Sequence, residues 1–405
     1  MTNWILLGGC LLGLFGVEWA RQVLFPGETP LWGWRWGRTR RQEKLKGGGS
    51  VSRITPQFAL SPDQILPGYS KWAERLESQP PMEVEESLRK KLFETKDRIP
   101  RLLLTGLLAQ ASLQLGNREE AHALLEEAEE NLRSNWINLD PVFLFVAERI
   151  AQTKALIFFQ EGNCPIVLDI LSEAERLFGK KEWMQLLKAE IHLLQGGFIE
   201  SIHLLEPMID RVGDRSSNAN ANRLNSTIHA LLGESYLRSG DWENLERVLA
   251  VASAPKAISP HDEAAILRLK LEAQLQRRDI EAAKGSVKDL EHLAKKCVGH
   301  RGLARCFHVA CSRVEVYQGN AIEALRRLQL AENECRYPAA LWEVNLCRAF
   351  ILESEDRFED AIQVWRSLIK SAPGTFFGKI AQTRIAMLAE AKDPTPSSSL
   401  HAEIA

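Results

Sequence analysis

The chain has 405 residues with an ordinary globular composition, 45% hydrophobic and 26% charged, and a net charge of only -2. Residues 1–50 carry seven Lys or Arg against three Glu, whereas residues 51–405 carry 44 basic and 50 acidic side chains. A mildly acidic body lacks the basic surface that nucleic-acid binding requires, so nucleic acid is excluded as a partner. The length allows several domains or one elongated array.

Residues 1–25 are predicted to form a transmembrane signal anchor. Residues 4–17 contain no charged side chain, and continuation to Phe25 gives 22 residues, about 33 Å of helix, which is enough to cross a bilayer. A cleaved signal peptide would have a basic start and a small-x-small cleavage site, and neither is present. A lipoprotein signal at Cys10 would need a longer apolar run before it. A soluble or exported protein, formed by removal of this segment, is the main alternative.

The charges that follow the apolar run predict its orientation. No side-chain cation precedes the run and seven follow it, and cations stay on the cytoplasmic side. We therefore expect a single-pass protein with its N-terminus outside and its body in the cytoplasm. Residues 26–57 form a basic and aromatic juxtamembrane segment that ends in a Gly-rich linker. Because indoles prefer the headgroup level and Arg prefers anionic lipid, we predict a membrane interface of Trp32, Trp34, Trp36, Arg38, Arg40 and Arg41.

The seven cysteines favour a reducing compartment. Their number is odd and their spacing shows no small disulfide framework. In a long chain of this kind, buried cysteines act as small apolar side chains. This expectation agrees with a cytoplasmic body.

Apolar residues recur at helical spacing from residue 58 to residue 391, and strand patterns are nearly missing from this part of the sequence. Residues 58–100 form a helical lead-in, with helices expected over 61–79 and 83–96. From 101 to 375 one phrase occurs seven times: an apolar helix, a short turn with Gly, Asn or Asp, and an acidic helix rich in Ala and Leu. The turn residues are at 116, 162, 196, 240, 278, 319 and 356, an average spacing of 40.

Two of these phrases carry a family pattern. The fourth reads Leu232-Gly233-x-x-Tyr236-x-x-x-Gly240-Asp241-Trp242, and the seventh supplies Ala361, Trp365 and Pro373. The pattern resembles the tetratricopeptide repeat, a helix–turn–helix unit. This resemblance implies an all-α fold, a right-handed superhelical solenoid of about seven hairpins that is closed by a capping helix at 376–391. The polar composition of residues 392–405 predicts a disordered tail. The spacing exceeds the family value of 34, which predicts longer helices or loops between repeats.

The resemblance also implies small residues where the two helices of each repeat cross. Each pair on this chain contains a small residue, and where one member is Leu its partner is Gly or Ala, as close packing requires. The pairs are Ala109/Ala121, Ala155/Val167, Ala189/Ser201, Gly233/Leu245, Leu271/Ala283, Ser312/Ala324 and Ala349/Ala361.

A solenoid of this family implies a concave groove, lined by the first helix of each repeat, that binds a protein partner. The mixed charge of the groove positions predicts a partner that carries both signs. The whole architecture is similar to bacterial membrane-anchored tetratricopeptide proteins, so we predict a membrane-anchored scaffold that binds proteins; self-association is left open. The groove positions carried onto this chain are Arg149, Gln152, Glu190, Glu234, Arg238, Arg268, Glu272 and Arg313.

Catalysis is not predicted. The sequence has no phosphate-binding loop, nucleophile elbow, His-Glu-x-x-His or dinucleotide fingerprint, and we expect no cofactor. One set of side chains could hold zinc across a turn, which leaves a metal-dependent activity as an alternative. A structural role is favoured because His308 and Cys311 share one helical face, whereas Cys306 lies on another. The set is Cys297, His300, Cys306, His308 and Cys311.

Overall fold

The computed structural model describes residues 62–133, 141–213, 219–252 and 259–392. The predicted signal anchor at 1–25, the juxtamembrane residues 26–57 with their membrane interface, and the tail from 393 lie outside the described residues. Within these four segments, every helix is too short or too polar to span a bilayer.

All regular secondary structure in the described residues is α-helical, as predicted. The helices are α1 (Pro62–Ile65), α2 (Tyr69–Ser78), α3 (Pro81–Glu94), α4 (Arg98–Leu115), α5 (Arg118–Arg133), α6 (Pro141–Gln160), α7 (Cys164–Phe178), α8 (Glu182–Gln195), α9 (Phe198–Gly213), α10 (Ala219–Ser239), α11 (Trp242–Ala252), α12 (Pro260–Gln276), α13 (Ile280–Lys296), α14 (Arg301–Tyr317), α15 (Ala321–Asn333), α16 (Pro338–Ser354), α17 (Phe358–Ser371) and α18 (Phe376–Lys392).

The helices pack in consecutive pairs. We number the hairpins 1 to 7, from α4/α5 to α16/α17; α2 and α3 precede them and α18 follows. Successive hairpins are joined by the second helix of one and the first helix of the next, as in the contacts of α9 with α10 and α13 with α14, and also by contacts between first helices, as in those of α4 with α6 and α10 with α12. Contacts between helices far apart in the chain join even-numbered helices, namely α2 with α12, α6 with α16 and α8 with α18, so the even-numbered helices α2 to α18 form an inner layer. This paired stacking confirms the predicted helical array at the level of its architecture.

The turn inside each hairpin has a residue with positive φ at the position that the sequence alignment gave. Five of the seven are glycines, including Gly162 (φ 81°) and Gly240 (φ 76°). The other two, Arg278 (φ 60°) and Asp356 (φ 57°), are the non-glycine residues with positive φ in the described segments. A left-handed residue ends a helix by turning its last N–H groups back onto the preceding carbonyls. The recurring Gly, Asn or Asp therefore terminates the first helix of each hairpin.

The predicted helix crossings are close-packed. Every residue of the seven predicted pairs is buried. At Gly233 an added Cβ would lie 2.5 Å from Leu269 Cδ1 of α12 and 3.6 Å from Leu245 Cδ1 of α11, so a methyl group would clash with the next hairpin and make an ordinary contact with the pair partner. The small residue at 233 is thus required by the space between α10 and α12.

Two expectations about element length have different outcomes. First helices in hairpins 2 and 4 have 20 and 21 residues, which accounts for part of the long repeat spacing. The single helix expected over 61–79 is instead split into α1 and α2. Pro67 cannot donate a backbone hydrogen bond, and Gly68 adopts a left-handed φ of 82°, so the helix is interrupted there.

The array curves until elements five hairpins apart touch. Helix α2 contacts α12 of hairpin 5, α6 of hairpin 2 contacts α16 of hairpin 7, and α8 of hairpin 3 contacts α18. Between these contacts, Arg118 Nη2 of hairpin 1 donates to the carbonyl of Arg336, which precedes α16, at 3.1 Å. The offset is the same in each case. One turn of the array therefore takes about five hairpins, and the next turn packs directly against it.

Candidate functional site

The charged side chains of the inner layer form a connected network. Arg238 Nε donates to Glu234 Oε1 at 2.5 Å within α10, and Arg268 of α12 pairs with the other oxygen of the same carboxylate. Arg268 Nη1 also lies 3.6 Å from Glu343 Oε1 on α16. The network thus joins hairpins 4, 5 and 7 across the inside of the array.

A second ion pair continues this row along the inner layer. Arg313 of α14 donates two hydrogen bonds to Glu272 of α12, from Nε at 2.9 Å and from Nη2 at 2.7 Å. This bidentate geometry is the strongest arrangement available to a guanidinium and a carboxylate. The Arg313 side chain is 36% exposed, so this pair is more accessible than the pair of Glu234 and Arg268.

The remaining predicted groove residues lie nearer the start of the array. Arg149 Nη1 donates to Gln152 Oε1 at 2.8 Å on α6, and the Arg149 guanidinium covers the ring of Phe145 at 5.1 Å. The carboxylate of Asp262 on α12 repels the carboxylate of Glu190 on α8. The structure therefore links Glu234, Arg238 and Arg268 in one network and keeps Arg149 with Gln152 apart from it.

Burial and charge shift the two inner-layer carboxyl groups in opposite directions. Burial would raise the pKa of Glu234, but the neighbouring Arg268 and Arg238 outweigh it and hold that pKa at about 2. Burial raises the pKa of Glu190 to about 7, and the negative charge of Asp262 adds to the effect. At neutral pH, Glu234 is therefore a fully charged anchor for two guanidinium groups, whereas Glu190 is poised to take up a proton.

Three members of this inner surface were missed by sequence reasoning. Glu343 pairs with Arg268, and the Arg238 guanidinium lies 5.2 and 5.4 Å from the ring centres of Phe376 and Phe377 at the start of α18. All three residues lie on α16 or α18, beyond the neighbouring hairpin. Only the curvature of the array brings them inside, so no local pattern could have identified them.

The cysteine and histidine set considered for zinc does not converge. Among the described residues, no group of three or more His, Cys, Asp or Glu side chains is arranged to hold a metal ion. Cys297 is buried in the core formed with α12 and α13, and Cys306 Sγ faces the carbonyl of Ala264 at 3.9 Å. Burial raises the pKa of both Cys306 and Cys311 to about 11, so each is a neutral thiol. The packing interpretation of these cysteines agrees with these positions.

The fold and its inner-layer network together define an all-α array of stacked helical hairpins with a charged interior. No protein-family model matches the chain, and no curated protein matches it in sequence. The class of the protein is therefore assigned from its architecture.

Proposed function

We propose that this chain is a membrane-anchored helical-repeat scaffold that binds protein partners through its inner layer, and that it has no enzymatic activity. The array is proposed to be a right-handed solenoid of tetratricopeptide type. The observation that supports this function is the row of charged side chains of both signs on successive first helices, from Arg149 on α6 to Arg313 on α14. Stacked hairpins of this kind present an extended surface to a partner.

The paired charges divide this surface into two parts. Glu234 and Arg268 are largely buried, at 11% and 20% exposure, and they hold neighbouring first helices together. The pair of Glu272 and Arg313 reaches solvent at Arg313, and Gln152 is also partly exposed. A partner with both positive and negative groups would form ion pairs and hydrogen bonds with these accessible side chains. Such charge complementarity contributes more to specificity than to affinity.

The membrane part of the proposal depends on residues 1–57. A single-pass anchor with the N-terminus outside places the hairpins in the cytoplasm, where the free cysteines of the described residues stay reduced. The competing hypothesis is a soluble or exported scaffold from which the N-terminal segment has been removed.

Photo-cross-linking in cells tests the partner surface. A photoreactive residue at Gln152 on the inner layer is expected to give a discrete adduct with a second protein. The matched position is Gln363, which is exposed on α17 in the outer layer, and it is expected to give none. Equal adducts at the two positions, or none at Gln152, would contradict binding through the inner layer.

Protease access to a C-terminal tag tests the topology. We expect the tag to pellet with membranes and to be cleaved only after spheroplasts are lysed. Cleavage in intact spheroplasts would place the body outside, and recovery of the tag in the soluble fraction would support the competing hypothesis. Mass spectrometry of the N-terminus then decides whether the first residues have been removed.

A further inference from the structure

A cavity lies where the second turn of the array meets the first. Its volume is about 350 Å³, and its wall includes Pro81, Gln114 and Gln160 from early helices, together with parts of α12, α14 and α16. This volume is in the range of small-molecule sites. Because its two sides come from elements five hairpins apart, the cavity exists only in the curved array.

The lining is strongly cationic. It contains four arginines and two glutamates, and of the arginines only Arg268 has an ion pair with a described carboxylate. Arg301, Arg305 and Arg336 have no carboxylate oxygen within 4.0 Å among the described residues. Arg336 is exposed and Arg301 is half-buried, and the half-buried Arg305 lies within electrostatic range of Glu343. Because four arginines face only two glutamates in this wall, an excess of positive charge remains, and a bound anion would stabilise this arrangement.

Two polar nitrogen atoms in this wall have no partner. His300 is 6% exposed, its ring hydrogen-bonds the backbone of Gln79, and its Nε2 makes no hydrogen bond in the described part of the chain. The Nε of Arg305 is likewise buried and unpartnered. Buried donors and acceptors are nearly always satisfied in native proteins. Because the His300 ring donates to the Gln79 backbone, its neutral form leaves Nε2 as an acceptor, whereas Arg305 Nε is a donor. Together these atoms indicate a ligand that offers an oxygen acceptor to Arg305 and a hydroxyl donor to His300.

The helix directions add to the positive potential. The first turns of α12, α14 and α16 all contribute to the wall, through His261, Gly302 and Ala340. N–H groups at a helix N-terminus have no partner within the helix and favour anions. Apolar lining from Leu303 and Pro81 leaves room for an uncharged organic part.

We propose that this cavity binds a small phosphate monoester, with the phosphate held by Arg301, Arg305 and Arg336 and by the N-terminus of α14. A phosphate dianion matches several guanidinium groups better than a single carboxylate does. The cavity borders the inner layer: its wall shares the largely buried Arg268 with the charged network, whereas the accessible residues Gln152 and Arg313 do not line it.

Titration calorimetry on the full chain in mild detergent tests the proposal, with inorganic phosphate, glycerol 3-phosphate and uncharged glycerol as probes. We expect saturable one-to-one binding of both phosphates, tighter for glycerol 3-phosphate, and none of glycerol. If neither phosphate saturates binding at about 10 mM, a concentration far above the dissociation constant of a specific site, the proposal is overturned.

Three substitutions assign the binding to this cavity. Arg305→Gln and Arg336→Gln should each weaken phosphate binding by about tenfold, since each removes a charge-assisted contact. The matched control Arg366→Gln, on the exposed face of α17, should change it by less than about twofold. Equal weakening in the control would show non-specific attraction and contradict the site. Because Arg336 is exposed, its variant keeps the test valid if Arg305→Gln fails to fold.

Discussion

Trp342 of α16 packs its indole directly over Gly162, the residue that ends α6 five hairpins earlier. The indole is 1% exposed, and an added Cβ on Gly162 would overlap its six-membered ring. Gly162 also has a left-handed φ of 81°. One glycine therefore serves two purposes: it terminates a helix, and it leaves space for the next turn of the array.

Replacement of Gly162 by Ala should be much more destabilising than the same change at Gly240. Both glycines have left-handed φ, but nothing lies within 4 Å of a Cβ at Gly240. We expect a cost of about 1 kcal/mol at Gly240 from the backbone alone, and about 3 kcal/mol at Gly162, where the indole must move. Urea unfolding of the two variants measures the difference. Equal costs would mean that the contact between turns contributes nothing.

A double variant isolates that contact. Trp342→Leu removes the ring that an alanine at 162 would strike. The loss of unfolding free energy caused by Gly162→Ala should therefore be smaller by about 1 kcal/mol or more in the Trp342→Leu background than in the original chain. Strict additivity of the two substitutions would contradict the proposed packing.

Glu234→Gln should destabilise the protein by about 3 kcal/mol at neutral pH, because Arg238 and Arg268 lose their shared carboxylate inside the array. The matched control is Glu243→Gln. Glu243 pairs with Arg247 on the surface, with side chains 77% and 69% exposed, so its loss should cost at most about 0.5 kcal/mol.

The effect of Glu234 should also depend on pH. Its folded pKa is about 2, below the ordinary 4.5, so its contribution is complete above pH 4.5 and is lost as the pH falls toward 2. Urea unfolding at pH 7 and at pH 3 should show the difference between the original chain and Glu234→Gln shrinking in acid. A constant difference would contradict the assigned charge.

Glu190→Gln should have the opposite pH dependence. Burial and Asp262 raise the folded pKa of Glu190 to about 7, so the folded protein retains a proton that the unfolded chain loses above pH 4.5. Stability contributed by this group is therefore present below pH 4.5 and is lost as the pH rises to 7. The Gln variant should be more stable than the original by about 2 kcal/mol at pH 8 and nearly equal at pH 4. Thermal unfolding at both pH values measures this, and an equal difference at both would count against it.

Arg278→Gly should stabilise the protein by about 0.5–1 kcal/mol. Arg278 is exposed and has a φ of 60°, a conformation that is strained for a residue with a side chain and free of strain for glycine. Asp356→Gly should stabilise less, because Asp tolerates the left-handed region better than Arg. Both are measured by thermal unfolding. Destabilisation by Arg278→Gly would show that its side chain makes a contact of greater value than the strain.

The sequence by itself determined the helices from α3 onward, the seven turns and the small-residue pairs within each hairpin. Positions such as Gly116, Arg278 and Asp356 could be aligned because a left-handed residue is needed wherever a first helix ends. Pairs such as Ala109/Ala121 could be identified because the two helices of a hairpin are close in sequence and cross at a fixed register. These features are local, so their requirements appear as short patterns.

The tertiary structure alone decided how far the array curves. Each hairpin is rotated slightly against the next, and the rotation depends on side-chain volumes at every interface, so small increments accumulate over five hairpins. That accumulation places Trp342 on Gly162, brings Glu343 to Arg268 and encloses the cavity beside His300. No short pattern encodes these contacts, because the residues that meet are about 75 to 220 positions apart in the chain and are brought together only by the sum of all the packing between them.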